Sequence, residues 1–197
     1  MQARSELILG GQRSGKSRRA ETLARDWLAQ SPDHTAVMIA TANAWDDEMV
    51  ERIARHQQDR AERVPGMITV EEPIALDEAI QTHSKLQTIV VVDCLTLWLT
   101  NLLMPHENTK NSQKKLSKEA VDQQIHARAA TLLIAVKSAP GPVILVGNEI
   151  GLGVIPMGRE TRDFVDALGR LNQEVAAACE RVTFMAAGLA LTLKGQV

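Results

Sequence analysis

The sequence has few aromatic residues and no excess of positive charge. Its 197 residues include three Trp, two Phe and no Tyr. Proteins that bind single-stranded nucleic acids stack the bases on aromatic side chains, so this scarcity argues against that class of function. The formal net charge of −2 offers no basic surface to attract a phosphate backbone. Both deficits argue against a nucleic acid as partner.

Cysteines and long apolar runs are also scarce. Cys94 and Cys179 are the only two cysteines, and each lies in an apolar segment without the spacing of a metal site. We expect two buried, reduced thiols, as in a cytoplasmic protein. The segment Met1–Glu6 is polar and predicts no signal peptide. No apolar run approaches the roughly 20 residues of a membrane span, so the expected location is the cytoplasm.

The length is enough for one sizeable core and short for two ordinary domains. Apolar residues make up 45% and charged residues 23% of the chain, as in globular proteins. The marked shift in composition is the polar stretch Pro105–Lys118, which we interpret as an exposed loop or the lead-in to a helix. Because the apolar pattern resumes after it, we predict a single domain over residues 1–197.

Short apolar runs alternate with longer segments of helical periodicity. Strands are predicted at Glu6–Leu9, Ala36–Ala40, Met67–Val70, Thr88–Val92, Pro142–Val146, Val182–Met185 and Leu189–Leu193. Helices are predicted at Ser17–Gln30, Asp46–Arg63, Ile74–His83, Leu95–Leu103 and Thr161–Ala178. Strands that are apolar on both faces and alternate with helices favour an α/β fold, with a largely parallel sheet covered on both sides.

A phosphate-binding loop follows the first predicted strand. Residues Gly10–Ser17 read GGQRSGKS and match the pattern G-x-x-x-x-G-K-[ST]. The glycines let backbone N–H groups approach phosphate oxygens, and the positive end of the next helix faces the same anion. The pattern assigns Lys16 to the β- and γ-phosphates and Ser17 to Mg²⁺. A chance match is the alternative, but the loop lies between an apolar strand and an amphipathic helix, as the mechanism requires.

An acidic residue ends the strongest predicted strand. Asp93 follows Ile89–Val92 and can hold Mg²⁺ beside the phosphate loop. The alternative is that it only caps the following helix. With a phosphate loop present, we favour the metal role. Glu149 follows another strand and is expected at the same edge of the sheet, where ligands bind in such folds.

His56 lies on a predicted helical face that mixes apolar residues with a histidine and an arginine. Four residues share one side of the helix predicted at Asp46–Arg63: Met49, Ile53, His56 and Arg60. The residues alone favour a half-buried histidine with a hydrogen bond. The alternative is a nucleophile, because neutral imidazole can attack phosphorus to form a phosphoramidate, with neighbouring arginines stabilising the charge. The other histidines are expected at the surface: His34, His83, His106 and His126.

Several segments together resemble one family, the bifunctional adenosylcobinamide kinase/adenosylcobinamide-phosphate guanylyltransferases of vitamin B12 assembly. The phosphate loop is common to many families. Its combination with the His56 helix and the stretch Asn148–Pro156 (NEIGLGVIP) is far more specific. The matching segments span almost the whole chain: Gly10–Ser17, Ile39–Thr41, Asp46–His56, Asp93–Thr96, Thr100–Leu103, Asn148–Pro156 and Gly169–Gln173.

The resemblance implies a RecA-like P-loop NTPase fold, a homotrimer and two reactions. In the first, the terminal phosphate of ATP or GTP passes to the aminopropanol hydroxyl of adenosylcobinamide. In the second, GTP loses pyrophosphate while GMP becomes attached to a histidine, and the GMP then passes to adenosylcobinamide phosphate. The family's histidine falls on His56, which makes the nucleophile the preferred interpretation.

The resemblance also implies the site residues. His56 and Lys16 are the catalytic residues, and Ser17 and Asp93 hold Mg²⁺. The nucleotide contacts fall on Gly10, Gly11, Gln12, Arg13, Ser14, Gly15, Lys16, Ser17, Ala40, Thr41, Ala42, Gln57, Gln58, Asp59, Arg60, Glu71 and Asp93. The substrates are a corrinoid and the nucleotides ATP and GTP.

The sequence departs from the family pattern at two points, and two functions other than the bifunctional enzyme stay open. The stretch Pro105–Lys118 has variable length in such proteins, and the acidic position at Asp93 is sometimes Glu, which leaves the distance to the metal open. The first alternative is a single-activity kinase of a small molecule, in which His56 is structural and no stable nucleotide adduct forms. The second is a regulatory P-loop ATPase, which needs a partner surface or an arginine from another subunit.

Overall fold

The computed structural model describes residues 3–43, 47–103 and 118–195, except for the side chains of residues 47–49, 52, 53, 56, 118 and 119. The strands are β1 Ser5–Gly10, β2 Thr35–Ala40, β3 Ile68–Glu71, β4 Thr88–Asp93, β5 Val143–Asn148, β6 Arg181–Ala186 and β7 Leu189–Lys194. The helices are α1 Lys16–Leu28, α2 Asp47–Arg63, α3 Leu76–His83, α4 Leu95–Leu103, α5 Lys118–Ser138 and α6 Arg159–Ala178.

The strands form one sheet in the order β3-β2-β4-β5-β1-β6-β7. All neighbouring strands are parallel except β6 and β7. In this register Gly10 at the end of β1 lies beside Asn148 of β5 and Met185 of β6. Parallel strands end at the same edge of a sheet, so the loop after Gly10 and the carboxylate of Asp93 share that edge, with β5 between their strands.

Helices cover both faces of the sheet. On one face, Ala20 and Ala24 of α1 pack in a buried cluster that also holds Val64, just after α2. On the other face, α3, α4, α5 and α6 bury a larger cluster that contains Trp98 and Leu132. These layers confirm the predicted α/β fold with a mostly parallel sheet. No helix within the described ranges is long and apolar enough to cross a membrane.

The last two strands form an antiparallel hairpin at the edge of the sheet. A two-residue turn joins them, with φ of 51° at Ala187 and 79° at Gly188. Positive φ at both turn residues is typical of tight hairpins, because it matches the twist of the strands. The amide of Gly188 donates a hydrogen bond of 3.0 Å to the carbonyl oxygen of Ser14. The turn therefore braces the phosphate loop from the side of β6.

The predicted elements occur where expected, with most ends shifted by one or two residues. Helix α3 begins two residues later than predicted, because a Glu72 carboxylate oxygen accepts hydrogen bonds from the amides of Ile74 and Ala75 at 2.9 and 2.7 Å. Helix α5 was not assigned, since only a lead-in to a helix was inferred from Pro105–Lys118. Residues 104–117 lie outside the described part of the chain.

The surface prediction for the histidines is wrong for His34. Its ring stacks on Trp27 with ring centroids 3.8 Å apart. Its Nδ1 also lies 2.8 Å from the carbonyl oxygen of Trp27, so the residue is half-buried. His83 is half-buried as well, and His126 is exposed as predicted. His106 lies outside the described residues.

Candidate active site

The phosphate loop leaves β1 through a position that only glycine fits. A Cβ atom on Gly10 would overlap the carbonyl oxygen of Met185 and lie 2.6 Å from Ser14 Oγ. The chain then turns through left-handed conformations at Arg13 (φ 55°) and Gly15 (φ 100°). Glycine adopts such angles without a steric penalty. The residues Gly10–Gly15 thus wrap tightly before α1, as the sequence pattern predicts.

The N-terminus of α1 is free to receive an anion. The helix begins at Lys16 and has neither a side-chain cap nor an acidic residue in its first turn. The first N–H groups of a helix lack partners within it and carry partial positive charge. The hydroxyl of Ser14 is buried and has no hydrogen-bond partner among the described residues. These unused donors fit the oxygens of a phosphate.

Lys16 is held inside the loop. The residue is 8% exposed, and its Nζ donates a hydrogen bond of 2.6 Å to the carbonyl oxygen of Gly11. Burial lowers the pKa of Lys16, and the nearby Asp93 carboxylate acts in the opposite direction. Phosphate oxygens would give the ammonium a stronger, charge-assisted partner than the neutral carbonyl.

Ser17 and Asp93 are the residues predicted to hold Mg²⁺. Both residues are half-buried, and they offer a hydroxyl and a carboxylate, which are oxygen ligands that Mg²⁺ prefers. Among the described residues, none donates a hydrogen bond to the Asp93 carboxylate. The described ranges contain no cluster of three or more His, Cys, Asp and Glu suited to a metal. Mg²⁺ commonly uses one or two protein ligands together with substrate phosphates, so two residues are enough.

Thr41 ties the ends of β2 and β4 together. Its hydroxyl donates to the carbonyl oxygen of Cys94 at 2.7 Å and accepts from the Cys94 amide at 2.8 Å. Its amide donates to the carbonyl oxygen of Asp93 at 3.1 Å, and its carbonyl accepts from Asn101 Nδ2 at 2.8 Å. Every polar group of this fully buried residue is used within the protein. Within the predicted contact segment Ala40–Ala42, this favours a supporting role for Thr41.

Two side-chain contacts show where α2 lies along β3. Gln57 Nε2 donates to a Glu71 carboxylate oxygen at 3.3 Å, and Arg60 Nη1 donates to Thr69 Oγ1 at 3.1 Å. Glu71 is the last residue of β3, so Gln57 is level with the carboxyl edge of the sheet. The backbone of His56, one residue earlier, therefore comes to the same edge as the phosphate loop. The side chain of His56 lies outside the described part of the chain.

A second group of buried polar side chains fixes the end of β5. The amide of Asn148 donates to Thr96 Oγ1 at 2.9 Å, and Asn172 Nδ2 donates to the carbonyl oxygen of Asn148 at 3.1 Å. The amide of Glu149 donates to the carbonyl oxygen of Gly10 at 3.0 Å, at the edge predicted for it. Sequence reasoning gave Thr96 and Asn172 no role. For Thr96 the available signal was a polar residue within an apolar stretch of helix, and for Asn172 it was the place of that residue in the matching segment Gly169–Gln173.

The other predicted nucleotide contacts lie on the open side of the site. The side chains of Gln12, Arg13 and Gln58 are exposed. The carboxylate of Asp59 is partly exposed and lies 2.9 Å from Nη2 of Arg63. Gln12 and Arg13 belong to the phosphate loop itself, and Gln58 and Asp59 follow position 56 in α2. Their individual roles stay predictions.

The family follows from the sequence comparison. The family described as "Cobinamide kinase / cobinamide phosphate guanyltransferase" matches residues 6–193. This chain belongs to that family. The match spans the phosphate loop, Asp93 and the whole of α2, and it confirms the resemblance inferred from the motifs.

Relatives of this family match along nearly their whole length. The chain is 45% identical over 192 residues to the bifunctional adenosylcobalamin biosynthesis protein CobP of Pseudomonas aeruginosa, covering 97% of this chain and 98% of that protein. It is 37% identical over 188 residues to the bifunctional adenosylcobalamin biosynthesis protein CobU of Escherichia coli K12, covering 95% and 98%. Among solved structures, the flagellar accessory protein FlaH of Methanocaldococcus jannaschii aligns with a TM-score of 0.51 and 12% identity, covering 98% of this chain and 78% of FlaH. That identity shows a shared fold alone.

The two cysteines of this family member are expected to be unreactive in the folded protein. Burial raises the pKa of Cys94 to about 11, with Asp93 acting in the same direction, and burial raises the pKa of Cys179 to about 12. Since the thiolate is the reactive form, iodoacetamide should label neither residue at neutral pH. Denatured protein should take up two labels per chain, counted by intact-protein mass spectrometry. Rapid labelling of Cys94 in native protein would contradict this expectation.

Proposed function

We propose that this chain carries out both reactions of its family at the phosphate loop, with His56 as the nucleophile of the second. It would phosphorylate adenosylcobinamide with ATP or GTP and then convert the product to adenosylcobinamide-GDP with GTP. The observation that carries the proposal is the packing of α2 on β3, which brings the backbone of position 56 to the carboxyl edge of the sheet, the edge that also carries the phosphate loop. One nucleotide site can then serve both reactions.

In the first reaction, the oxygen of the aminopropanol hydroxyl attacks the γ-phosphorus. The bond from the γ-phosphorus to the bridging oxygen breaks, the nucleoside diphosphate leaves and the hydroxyl proton is released. The amides of the phosphate loop and the start of α1 would hold the β- and γ-phosphates. Lys16 would exchange its hydrogen bond to Gly11 for the same oxygens, where it offsets the charge on the leaving diphosphate.

In the second reaction, a neutral ring nitrogen of His56 attacks the α-phosphorus of GTP. The bond to the β-phosphate oxygen breaks, pyrophosphate leaves and a phosphoramidate links GMP to the histidine. A phosphate oxygen of adenosylcobinamide phosphate then attacks the same phosphorus, and the histidine leaves with its electron pair restored. The grip of Lys16 on the β- and γ-phosphates would favour pyrophosphate as the leaving group in this step.

Ser17 and Asp93 would hold Mg²⁺ in this site. The bound ion supplies positive charge that neutralises the phosphate oxygens. An Asp93→Asn variant is expected to need roughly tenfold more Mg²⁺ for half-maximal kinase rate, because it loses a charged ligand. A titration of the rate with MgCl₂ at fixed nucleotide measures this shift. An unchanged Mg²⁺ requirement would remove Asp93 from the metal site.

The proposal extends to assembly and location. We take residues 1–197 as a single catalytic domain that forms a homotrimer in the cytoplasm, as the family resemblance implies. Light scattering coupled to gel filtration measures the mass directly. A particle of one or two chains at micromolar concentration would contradict the trimer.

A product assay tests the function as a whole. Purified protein is incubated with adenosylcobinamide, GTP and Mg²⁺, and the corrinoid products are separated and weighed by mass spectrometry. Adenosylcobinamide phosphate should appear first and adenosylcobinamide-GDP second, with release of pyrophosphate. Accumulation of the phosphate alone would leave a single-activity kinase. Nucleotide hydrolysis without any corrinoid product would favour the regulatory ATPase.

A further inference from the structure

An ion pair joins the phosphate-loop helix to α2. Nη1 of Arg63, the last residue of α2, lies 3.1 Å from a carboxylate oxygen of Glu21 in α1. The Glu21 side chain is only 4% exposed, and that of Arg63 is 44% exposed. Nη2 of Arg63 also contacts Asp59 at 2.9 Å, one turn earlier in α2. The arginine is thus fixed by two carboxylates, one of them buried in the neighbouring helix.

The place of the ion pair along the two helices indicates how far position 56 lies from the carboxyl edge of the sheet. Helices α1 and α2 each follow a strand of the parallel part of the sheet and lead back from its carboxyl edge, and they share one face of the sheet. Glu21 comes five residues after Lys16, or about 7.5 Å along the helix, and Arg63 comes seven residues after His56, or about 10 Å. A contact between Glu21 and Arg63 therefore brings position 56 close to the level of the phosphate loop.

Contacts with the rest of the domain concentrate at the end of α2. Its earlier side chains that the structure describes are exposed: Val50, Glu51, Ala54, Arg55, Gln57 and Gln58. Arg60 is buried, and Val64, immediately after the helix, packs in the cluster that holds Ala20 and Ala24. Small changes in the tilt of this end are amplified toward position 56. Within the described part of the chain, the pair between Glu21 and Arg63 is the ionic contact with α1 at this end.

We propose that the Glu21–Arg63 ion pair is a positioning contact for nucleotidyl transfer, which sets the angle at which α2 presents position 56 to the α-phosphorus. This inference rests on the proposed function, in which His56 is the nucleophile. Phosphate transfer to the corrinoid uses the loop and α1 but not position 56. Loss of the pair should therefore slow guanylylation selectively. The hydrogen bond from Arg63 to Glu21 also raises the pKa of Arg63, as expected for a tight pair.

The test compares the two chemical steps in the same preparations. Arg63→Met and Glu21→Gln each remove the ionic contact, and Arg25→Met is the matched control, because among the described residues Arg25 forms an ion pair only with the exposed Asp26 next to it. The rate of adduct formation is measured in a single turnover with GTP labelled at the α-phosphate. Since misplacement of a reacting group by about 1 Å can cost up to about 10²-fold, we expect adduct formation at least tenfold slower in both pair variants. The kinase kcat at saturating nucleotide and the rates of Arg25→Met should stay within about twofold of wild type.

A conservative variant separates positioning from a general loss of structure. Arg63→Lys keeps a cation within reach of Glu21 and should recover part of the guanylylation rate. The inference is overturned if Arg63→Met forms the adduct at the wild-type rate, or if adduct formation and kinase kcat fall in proportion as the melting temperature falls. An absence of adduct in wild-type protein, or its persistence in His56→Ala, would contradict the histidine assignment itself and the inference with it.

Discussion

Replacement of Lys16 by methionine is expected to slow both phosphate transfer to the corrinoid and guanylylation by ~10²–10³-fold. Lys16 is buried at the first position of α1, and its Nζ lies 2.6 Å from the carbonyl oxygen of Gly11. In both reactions its ammonium would stabilise charge on the β- and γ-phosphates. Loss of one such preorganised group typically lowers kcat by ~10²–10³-fold, or about 3–4 kcal/mol. Both rates are measured on the same preparation, with saturating Mg²⁺.

The control for this change is Lys137→Met. Lys137 is exposed in the last turn of α5, on the opposite face of the sheet from α1. Its replacement should leave both rates within about twofold of wild type, as most surface substitutions do. Circular dichroism melting curves show whether each variant is folded. A folded Lys16→Met protein with wild-type kinase activity would exclude Lys16 from phosphate binding.

Replacement of His56 by alanine is expected to split the two activities. Formation of the nucleotide adduct should fall to background, because the proposed nucleophile is removed. Kinase kcat should stay within about twofold, since the first reaction needs no nucleophile from the protein. Adenosylcobinamide phosphate would then accumulate. The two rates are followed by retained α-phosphate label and by corrinoid product.

The matched control is His126→Ala. His126 is exposed on α5, and its Nδ1 lies 3.9 Å from a carboxylate oxygen of Glu174 in α6. Its loss should change neither activity. Equal loss of kinase and guanylylation in a folded His56→Ala protein would indicate a structural role for His56. If Lys16→Met slows both reactions and His56→Ala stops guanylylation alone, one nucleotide site serves both reactions and His56 is the nucleophile of the second. A simple kinase would form no adduct in any of these proteins.

The parts of the site that depend on local sequence could be predicted. The pattern of Gly10–Ser17 requires a tight turn and a helix start, and the structure has both at these residues. Asp93 could be placed because the apolar run before it forms a buried strand, and the ends of parallel strands meet at one edge. The position of His56 could be stated only as a helical face. Its distance from the loop depends on how α2 packs.

The contacts between distant segments could not be predicted. Thr41 joins β2 to the start of α4 through Cys94, 53 residues later, and Arg63 reaches back 42 residues to Glu21. Hydropathy patterns report which side of an element is buried but not which polar side chains meet there. The strand β7 was predicted, but its antiparallel direction was not, for a related reason. Its direction depends on positive φ at Ala187 and Gly188, and alanine does not signal that angle.

The most direct test is the location of a covalent nucleotide on the protein. Purified protein is incubated with Mg²⁺ and GTP labelled at the α-phosphate, denatured, digested and analysed by mass spectrometry. An acid-labile, alkali-stable GMP group on the peptide that contains His56, displaced on addition of adenosylcobinamide phosphate, is the expected result. Label absent from the protein while the corrinoid is still phosphorylated, or label on another residue, would contradict the role of His56.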